Sequence, residues 1–190
     1  MRDLTCSRRS VLAGLGAAVI ASPLARAASG PDPESAGADP GIWLNVGLVG
    51  TDGQAFSLGQ LASPVVLVHL WASWCGACLG ELASLQDAAG QLGPMGVATV
   101  LVSHPKHWEA DQAFLRRTRA RLPAYTLAPD TPWEARAAAF GIVGGSYAVP
   151  RTLVFAGRPR RCVLARGGAQ DWRLPQAFAQ LRGWVRSAPA

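Results

Sequence analysis

The chain has 190 residues, 49% hydrophobic and 16% charged, which suits one domain with a sizeable core and excludes a wholly disordered chain. Four Cys are too few for a disulfide-stapled small scaffold. The net charge of +6 and a pI near 9.9 invite a nucleic-acid reading, but part of that charge sits where an export signal would carry it.

Arg2, Arg8 and Arg9 precede an uncharged stretch from Val11 to Leu24, and Ala25-Arg26-Ala27 follows as an A-x-A site. Residues 1–27 therefore read as a signal peptide, cut before Ala28. The Arg8-Arg9 pair within Ser7-Arg8-Arg9-Ser10-Val11-Leu12 resembles the twin-arginine export motif. General secretory export with an incidental Arg pair is the alternative. An uncleaved anchor is a third reading, although the stretch is interrupted by Pro23 and short for a membrane span. Removing residues 1–27 takes away four Arg and one Asp and leaves a chain of +3. It also removes Cys6 and delivers Cys75, Cys78 and Cys162 to a disulfide-permissive compartment, the periplasm.

Residues 28–41, rich in Ala, Ser, Gly, Pro and acids, read as a flexible linker. The domain runs over 42–187. Strands are predicted at Ile42–Leu48 and Ala55–Leu58 around a Thr51–Gln54 turn, and a buried central strand at Pro64–Leu70. From Cys75 to Gly90, apolar residues recur at steps of three and four, the mark of a helix with one buried face. A strand at Val97–Val102, a surface helix at Trp108–Arg121, a strand at Ala124–Ala128 and a helix at Pro132–Phe140 follow. Arg151–Phe155 and Arg161–Arg166 read as two strands around a turn, and Leu174–Val185 as a closing amphipathic helix. That order implies a central sheet covered on both faces.

The segment that carries chemistry is Val65-Val66-Leu67-Val68-His69-Leu70-Trp71-Ala72-Ser73-Trp74-Cys75-Gly76-Ala77-Cys78. A buried strand runs through a short turn into a helix that opens with C-x-x-C. The first Cys then lies at a helix N-terminus, where unpaired N–H groups and the dipole favour the nucleophilic thiolate. The second is placed to resolve a mixed disulfide. A zinc site would need a second ligand pair, and Leu79 after Cys78 excludes C-x-x-C-H haem attachment. A purely structural disulfide stays open, though so small a ring restrains the unfolded chain little.

Trp71-Ala72-Ser73-Trp74-Cys75-Gly76-Ala77-Cys78, Glu81 three residues later and Val149-Pro150-Arg151-Thr152 together resemble the thioredoxin-like family. The exported TlpA- and ResA-like thiol–disulfide oxidoreductases are the subgroup they match. The resemblance covers about residues 42–187. It implies an α/β, thioredoxin-like fold: a central mixed β-sheet, helices on both faces and an N-terminal β-hairpin extension. It implies Cys75 as nucleophile, Cys78 as resolving Cys, Pro150 as a cis-proline beside them, and Val149 as the residue whose backbone pairs with substrate. Trp74, Glu81 and His69 are supporting residues. Glu81 either disfavours a nearby thiolate by charge repulsion, moves a proton for Cys78, or is a helix residue favoured by the dipole. His69, six residues before Cys75 and on the same sheet face as Leu67 and Trp71, is either a base for Cys78 or a packed histidine. Ala77 replaces the Pro common between the cysteines, and Ala83 a second common Pro. Tyr147 and Arg151, flanking the cis-proline, are candidates for partner selection.

Cys162 reads as a buried thiol away from the site, and Trp172 and Trp184 as packing residues. The Arg116–Arg121 and Arg158–Arg166 clusters read as solvated faces without aromatic stacking partners, so nucleic acid is not an expected ligand. The expected activity is reduction of protein disulfides, of the cytochrome c maturation or copper-site assembly type, by a monomer recharged by an electron donor at the membrane. No cofactor or metal beyond the Cys75–Cys78 pair is expected. The alternatives are net oxidation of protein thiols and a copper(I)-binding carrier built on the same pair.

Overall fold

The computed structural model describes residues 46–132, 135–136 and 148–187; the predicted signal, the linker, most of the Pro132–Phe140 helix and Tyr147 lie outside them. The strands are β1 (Leu48–Gly50), β2 (Ala55–Phe56), β3 (Val65–Trp71), β4 (Val97–Ser103), β5 (Ala124–Leu127), β6 (Arg151–Ala156) and β7 (Arg161–Gly167). The helices are α1 (Gly76–Leu92), α2 (Trp108–Thr118) and α3 (Pro175–Ser187). One mixed sheet runs in the order β2-β1-β5-β4-β3-β6-β7.

The centre of the sheet follows from composition. Every residue of β3 is buried, and β4 is buried at all positions but Ala98, so both strands are near-continuous apolar runs. They pair in parallel from Val65–Val97 to Trp71–Ser103. Two successive crossovers, β3-α1-β4 and β4-α2-β5, step the same way along the sheet. Right-handed connections then put α1 and α2 on one face. There Leu82, Leu85 and Leu92 of α1, Leu115 of α2 and Leu181 of α3 pack on Val65, Leu67 and Trp71. The opposite face buries Val66, Val68, Leu70, Val102 and Phe155 under Leu58, Leu61 and helical Ala135.

Local corrections have local causes. Of the predicted Ile42–Leu48 strand, Ile42–Asn45 lie outside the described residues, Val46 and Gly47 are not strand, and β1 is Leu48–Gly50, fixed by antiparallel pairing with β5 (Leu48–Leu127 to Gly50–Tyr125). The second strand stops at Phe56, because Leu58 starts a 3-10 turn and buries its side chain completely. α2 ends at Thr118, where Arg119 takes the left-handed φ of 53° without a glycine to announce it. Gly96, at φ 92°, leads into β4 so close to Pro64 that a Cβ would meet its ring at 2.9 Å. Arg160 is no solvated charge: its guanidinium donates to the carbonyls of Leu61 (2.7 Å) and Ser63 (3.0 Å), tying the β6–β7 turn to the segment before β3. Cys162 is half-buried rather than buried; its thiol donates to the Leu164 carbonyl, and burial pushes its pKa up.

β4 is flanked unequally. β3 pairs with all seven of its residues, β5 only with Leu101, Val102 and Ser103. The Leu101 N–H points toward the β5 side, to the Pro123 carbonyl. By the two-residue alternation of a strand, the backbone of Val97 and Thr99 faces that side too, onto a groove of about 640 Å³ between α1 and the Arg121–Pro123 segment.

Candidate active site

β3 delivers the chain to the C-terminal edge of the sheet at Trp71, and Ala72–Cys75 turn it into α1. Cys75 is the N-cap, in extended conformation, and its N–H donates to the Ala72 carbonyl at 3.1 Å. A brace comes from α2: the carboxylate of Asp111, fully buried, accepts the Ser73 N–H at 2.6 Å and the Ser103 hydroxyl. Ser103 is the register partner of Trp71, so one carboxylate ties the turn before Cys75 to the end of the neighbouring strand. Sequence reading missed Asp111, since an acid in a first helical turn is favoured by the dipole whatever it touches.

Cys75 and Cys78 form a disulfide with their Cα atoms 5.2 Å apart. The Cys78 N–H donates to Cys75 Sγ at 3.1 Å, so the helix N-terminus addresses the first sulfur. Cys75 keeps 7% of its surface accessible and Cys78 none, which makes Cys75 the sulfur that a partner can reach.

One turn of α1 beyond Cys78 lies a sealed polar cluster. Glu81 has its side chain fully buried, and its Oε1 accepts the indole N–H of Trp172, from the β7–α3 connection. His69 Nδ1 lies 3.8 Å from the same oxygen and 3.1 Å from Thr152 Oγ1, its register partner on β6. Burial pushes the Glu81 pKa up to about 7, against the hydrogen bonds from Trp172 and the Gln170 backbone, which lower it. Burial pushes His69 down to about 4. Close as they are, the two groups therefore form no ion pair at neutral pH: the imidazole is neutral and the carboxyl is the group that titrates. His69 Nε2 and Glu81 Oε2 are buried without a hydrogen-bond partner among the described residues. Trp172 was read only as a packing residue. Its signal was tertiary, since it lies 91 positions from Glu81 in sequence.

The mouth of the site is different. Trp74 is 56% exposed, with the His107 ring set edge-on at 5.7 Å and His104 a further 6.2 Å from His107. Burial, with the positive groups His107, Arg136 and Lys106, holds His104 below its usual pKa. On the other side, Val149–Pro150 is a cis peptide. Since Leu70 pairs with Arg151, Pro150 stands level with Trp71, at the same edge of the sheet as the cysteines. Pro150 is buried, and Val149 and Arg151 are half-buried. The fold thus gathers Cys75, Cys78, Glu81 and His69, and brings Trp74, Val149, Pro150 and Arg151 to one edge. Among the described residues no three His, Cys, Asp or Glu side chains group as a metal site.

The seven-stranded mixed sheet, with a cysteine pair at the N-terminus of the helix that follows a central strand, defines a thioredoxin-like redox protein. The chain belongs to the Redoxin family, whose model matches residues 31–156. No curated protein matches it significantly. Among solved structures it is similar to the thioredoxin domain of a thiol–disulfide oxidoreductase from Bacteroides vulgatus (TM-score 0.59, 17% identity, 74% of this chain and 92% of that one). A thiol:disulfide interchange protein of the thioredoxin family from Chlorobium tepidum matches with TM-score 0.54 and 20% identity over 74% and 90% of the two chains. A secreted disulfide oxidoreductase of Mycobacterium tuberculosis matches with TM-score 0.53 and 16% identity over 76% and 96%. Family and cysteine geometry together make the chain a protein thiol–disulfide oxidoreductase.

Proposed function

We propose that the chain is exported and reduces disulfides of proteins outside the cytoplasm. The observation that carries this reading is the unequal pair: Cys75, reachable and at a helix N-terminus, bonded to Cys78, sealed and one turn of α1 before a carboxyl with a pKa near neutrality. In the reduced enzyme the Cys75 thiolate attacks one sulfur of a substrate disulfide. A Cys75–substrate disulfide forms, and the other substrate sulfur leaves as a thiolate. Cys78 gives its proton to the Glu81 carboxylate and attacks Cys75 Sγ. The mixed disulfide breaks, the second substrate sulfur leaves, and the Cys75–Cys78 disulfide remains. A dithiol donor at the membrane returns the electrons. Glu81, rather than His69, takes the proton, because an imidazole whose pKa burial has lowered to about 4 is a weak base at pH 7. Val149 and Pro150 hold the substrate backbone, and Tyr147 and Arg151 contribute to partner choice.

Export rests on residues 1–27, with Arg8-Arg9 pointing to the twin-arginine route, and the similarity to a secreted oxidoreductase supports it. Substrates of the cytochrome c maturation or copper-site assembly type follow from the subgroup resemblance. The test is trapping in the native compartment with Cys78→Ser, which leaves the attack by Cys75 intact and removes resolution. Mixed disulfides with partners that accumulate oxidised in a deletion strain are expected. Partners that accumulate reduced would reverse the direction to net oxidation. No trapped partner, together with stoichiometric copper(I) binding and no disulfide reduction by the purified protein, would overturn the reading.

A further inference from the structure

The inference concerns the residue that controls Glu81, and it rests on the thiol chemistry just proposed. Glu81 is enclosed by three elements. β3 contributes His69, neutral at pH 7; β6 contributes the Thr152 hydroxyl, through His69; the β7–α3 connection contributes Trp172 and the Gln170 backbone. The charged groups of that connection and of the end of β7 look elsewhere. Asp171 pairs with Arg173 at 2.9 Å in solvent, and Arg166 donates to the Gln170 side-chain carbonyl at 3.2 Å. On its own helix Glu81 follows Cys78 by one turn. The indole N–H is therefore the side-chain donor that meets the carboxyl directly.

The indole is itself held. Trp172 is 2% exposed, its backbone N–H donates to Ser84 Oγ at 3.4 Å, and the Ser84 hydroxyl donates to the Glu81 carbonyl at 2.8 Å. Backbone and side chain of one residue thus grip a single turn of α1, the turn that carries the acid. A rigid N–H donor stabilises the carboxylate more than the carboxylic acid, because charge-assisted hydrogen bonds are the stronger ones. We propose that Trp172 is a positioning residue for resolution: its indole N–H fixes the Glu81 carboxyl one turn beyond Cys78 and sets the pH at which that carboxyl is ready to take the Cys78 proton. Burial favours the protonated carboxyl, which can accept nothing; the indole, with the Gln170 backbone, pulls the other way and favours the carboxylate.

The test uses the reduced protein and 5,5′-dithiobis(2-nitrobenzoate). Attack by Cys75 releases the first thionitrobenzoate and resolution by Cys78 releases the second, so the second phase reports the step that needs Glu81. In the wild type its rate is expected to inflect near pH 7, and in Glu81→Gln the inflection is lost. Trp172→Phe keeps a ring and removes the donor. Its inflection is expected to move up by about one pH unit, so that resolution at pH 7 slows about fivefold while the first phase is unchanged. A Trp172→Phe profile that superimposes on the wild type would overturn the proposal, and so would an inflection that survives in Glu81→Gln. The second measurement needs no Trp172 variant. The assigned Trp172 indole N–H resonance is expected to titrate near pH 7 in the wild type and to stay flat in Glu81→Gln; a resonance that is flat in both overturns the proposal even if Trp172→Phe does not fold. A protein that reduces no protein disulfide would end the functional reading, whereas the indole titration decides on Trp172 regardless.

Discussion

Cys75 and Cys78 share one bond, yet the ground on either side of it differs in kind. Toward solvent stand a half-exposed Trp74, two histidine rings and Lys106, with the cis-proline edge opposite. Toward the sheet stand a carboxyl, an imidazole, a threonine hydroxyl and an indole, all shut away from water. The outer ground is soft and made of side chains that can be replaced without disturbing the core, which suits a surface that meets other proteins. The inner ground is built from four separate elements (α1, β3, β6 and the β7–α3 connection), so its proton affinities are fixed by the fold. In the proposed cycle, partner recognition falls to the Cys75 side and proton handling to the Cys78 side.

The largest effect should come from exchanging the sulfurs. Cys75→Ser is expected to lose disulfide reduction by at least about a thousandfold, as removal of a nucleophile does, while Cys78→Ser keeps the first attack and stalls as a mixed disulfide. Thiol release in single turnover checks both.

The inner ground should next show in stability against pH. The folded state holds Glu81 protonated up to about pH 7, whereas the unfolded chain loses that proton near 4.5. Its contribution is therefore full below 4.5 and lost as pH rises through 7. His69 acts oppositely, since the unfolded imidazole protonates near 6.5 and the folded one near 4; its contribution is full above 6.5 and lost as pH falls through 4. In the wild type the two slopes offset each other. Glu81→Gln should leave a protein whose stability rises from pH 4 to 6.5, and His69→Asn one whose stability falls from 4.5 to 7, each by up to about 3 kcal/mol. Denaturant midpoints across that range measure both, and a flat profile in either variant would break the distinction between inner and outer groups.

Asp111→Asn should cost about 2 kcal/mol, because one of two hydrogen bonds to a buried carboxylate loses its acceptor. The smallest effect belongs to the outer ground. Trp74→Ala should slow reduction of a protein disulfide several-fold and leave stability within about 0.5 kcal/mol, as an exposed side chain should.

The parts legible in the sequence are those set by local periodicity. β3, β4 and α1 announce themselves because two-sided burial demands a continuous apolar run and one-sided burial a helical stripe. C-x-x-C marks the start of α1, and His69 and Glu81 stand out through the resemblance of this segment to the thioredoxin-like family. What stayed hidden depends on contacts between distant segments. Asp111 meets Ser73 across 38 positions and resembles any first-turn acid. Trp172 looks like any core aromatic until its indole is seen on Glu81. Arg160 looks like surface charge until its guanidinium is found on the backbone carbonyls of Leu61 and Ser63. α2 stopped short at Arg119 because a residue other than glycine took the left-handed cap.

The half-covered strand β4 has one more consequence. β1, β2 and β5 hang on the rest of the sheet through the pairs Leu101–Ala124, Val102–Tyr125 and Ser103–Thr126, against a full seven-residue seam between β3 and β4. Cooperative units part where few bonds hold them, so this narrow seam is where β1, β2 and β5 together come away from the centre of the sheet. Its last pair includes Ser103, whose hydroxyl is on Asp111, and Asp111 holds Ser73 before Cys75. Parting of that seam therefore loosens the turn that presents the nucleophile, and loss of redox competence reports that the two parts of the sheet have separated.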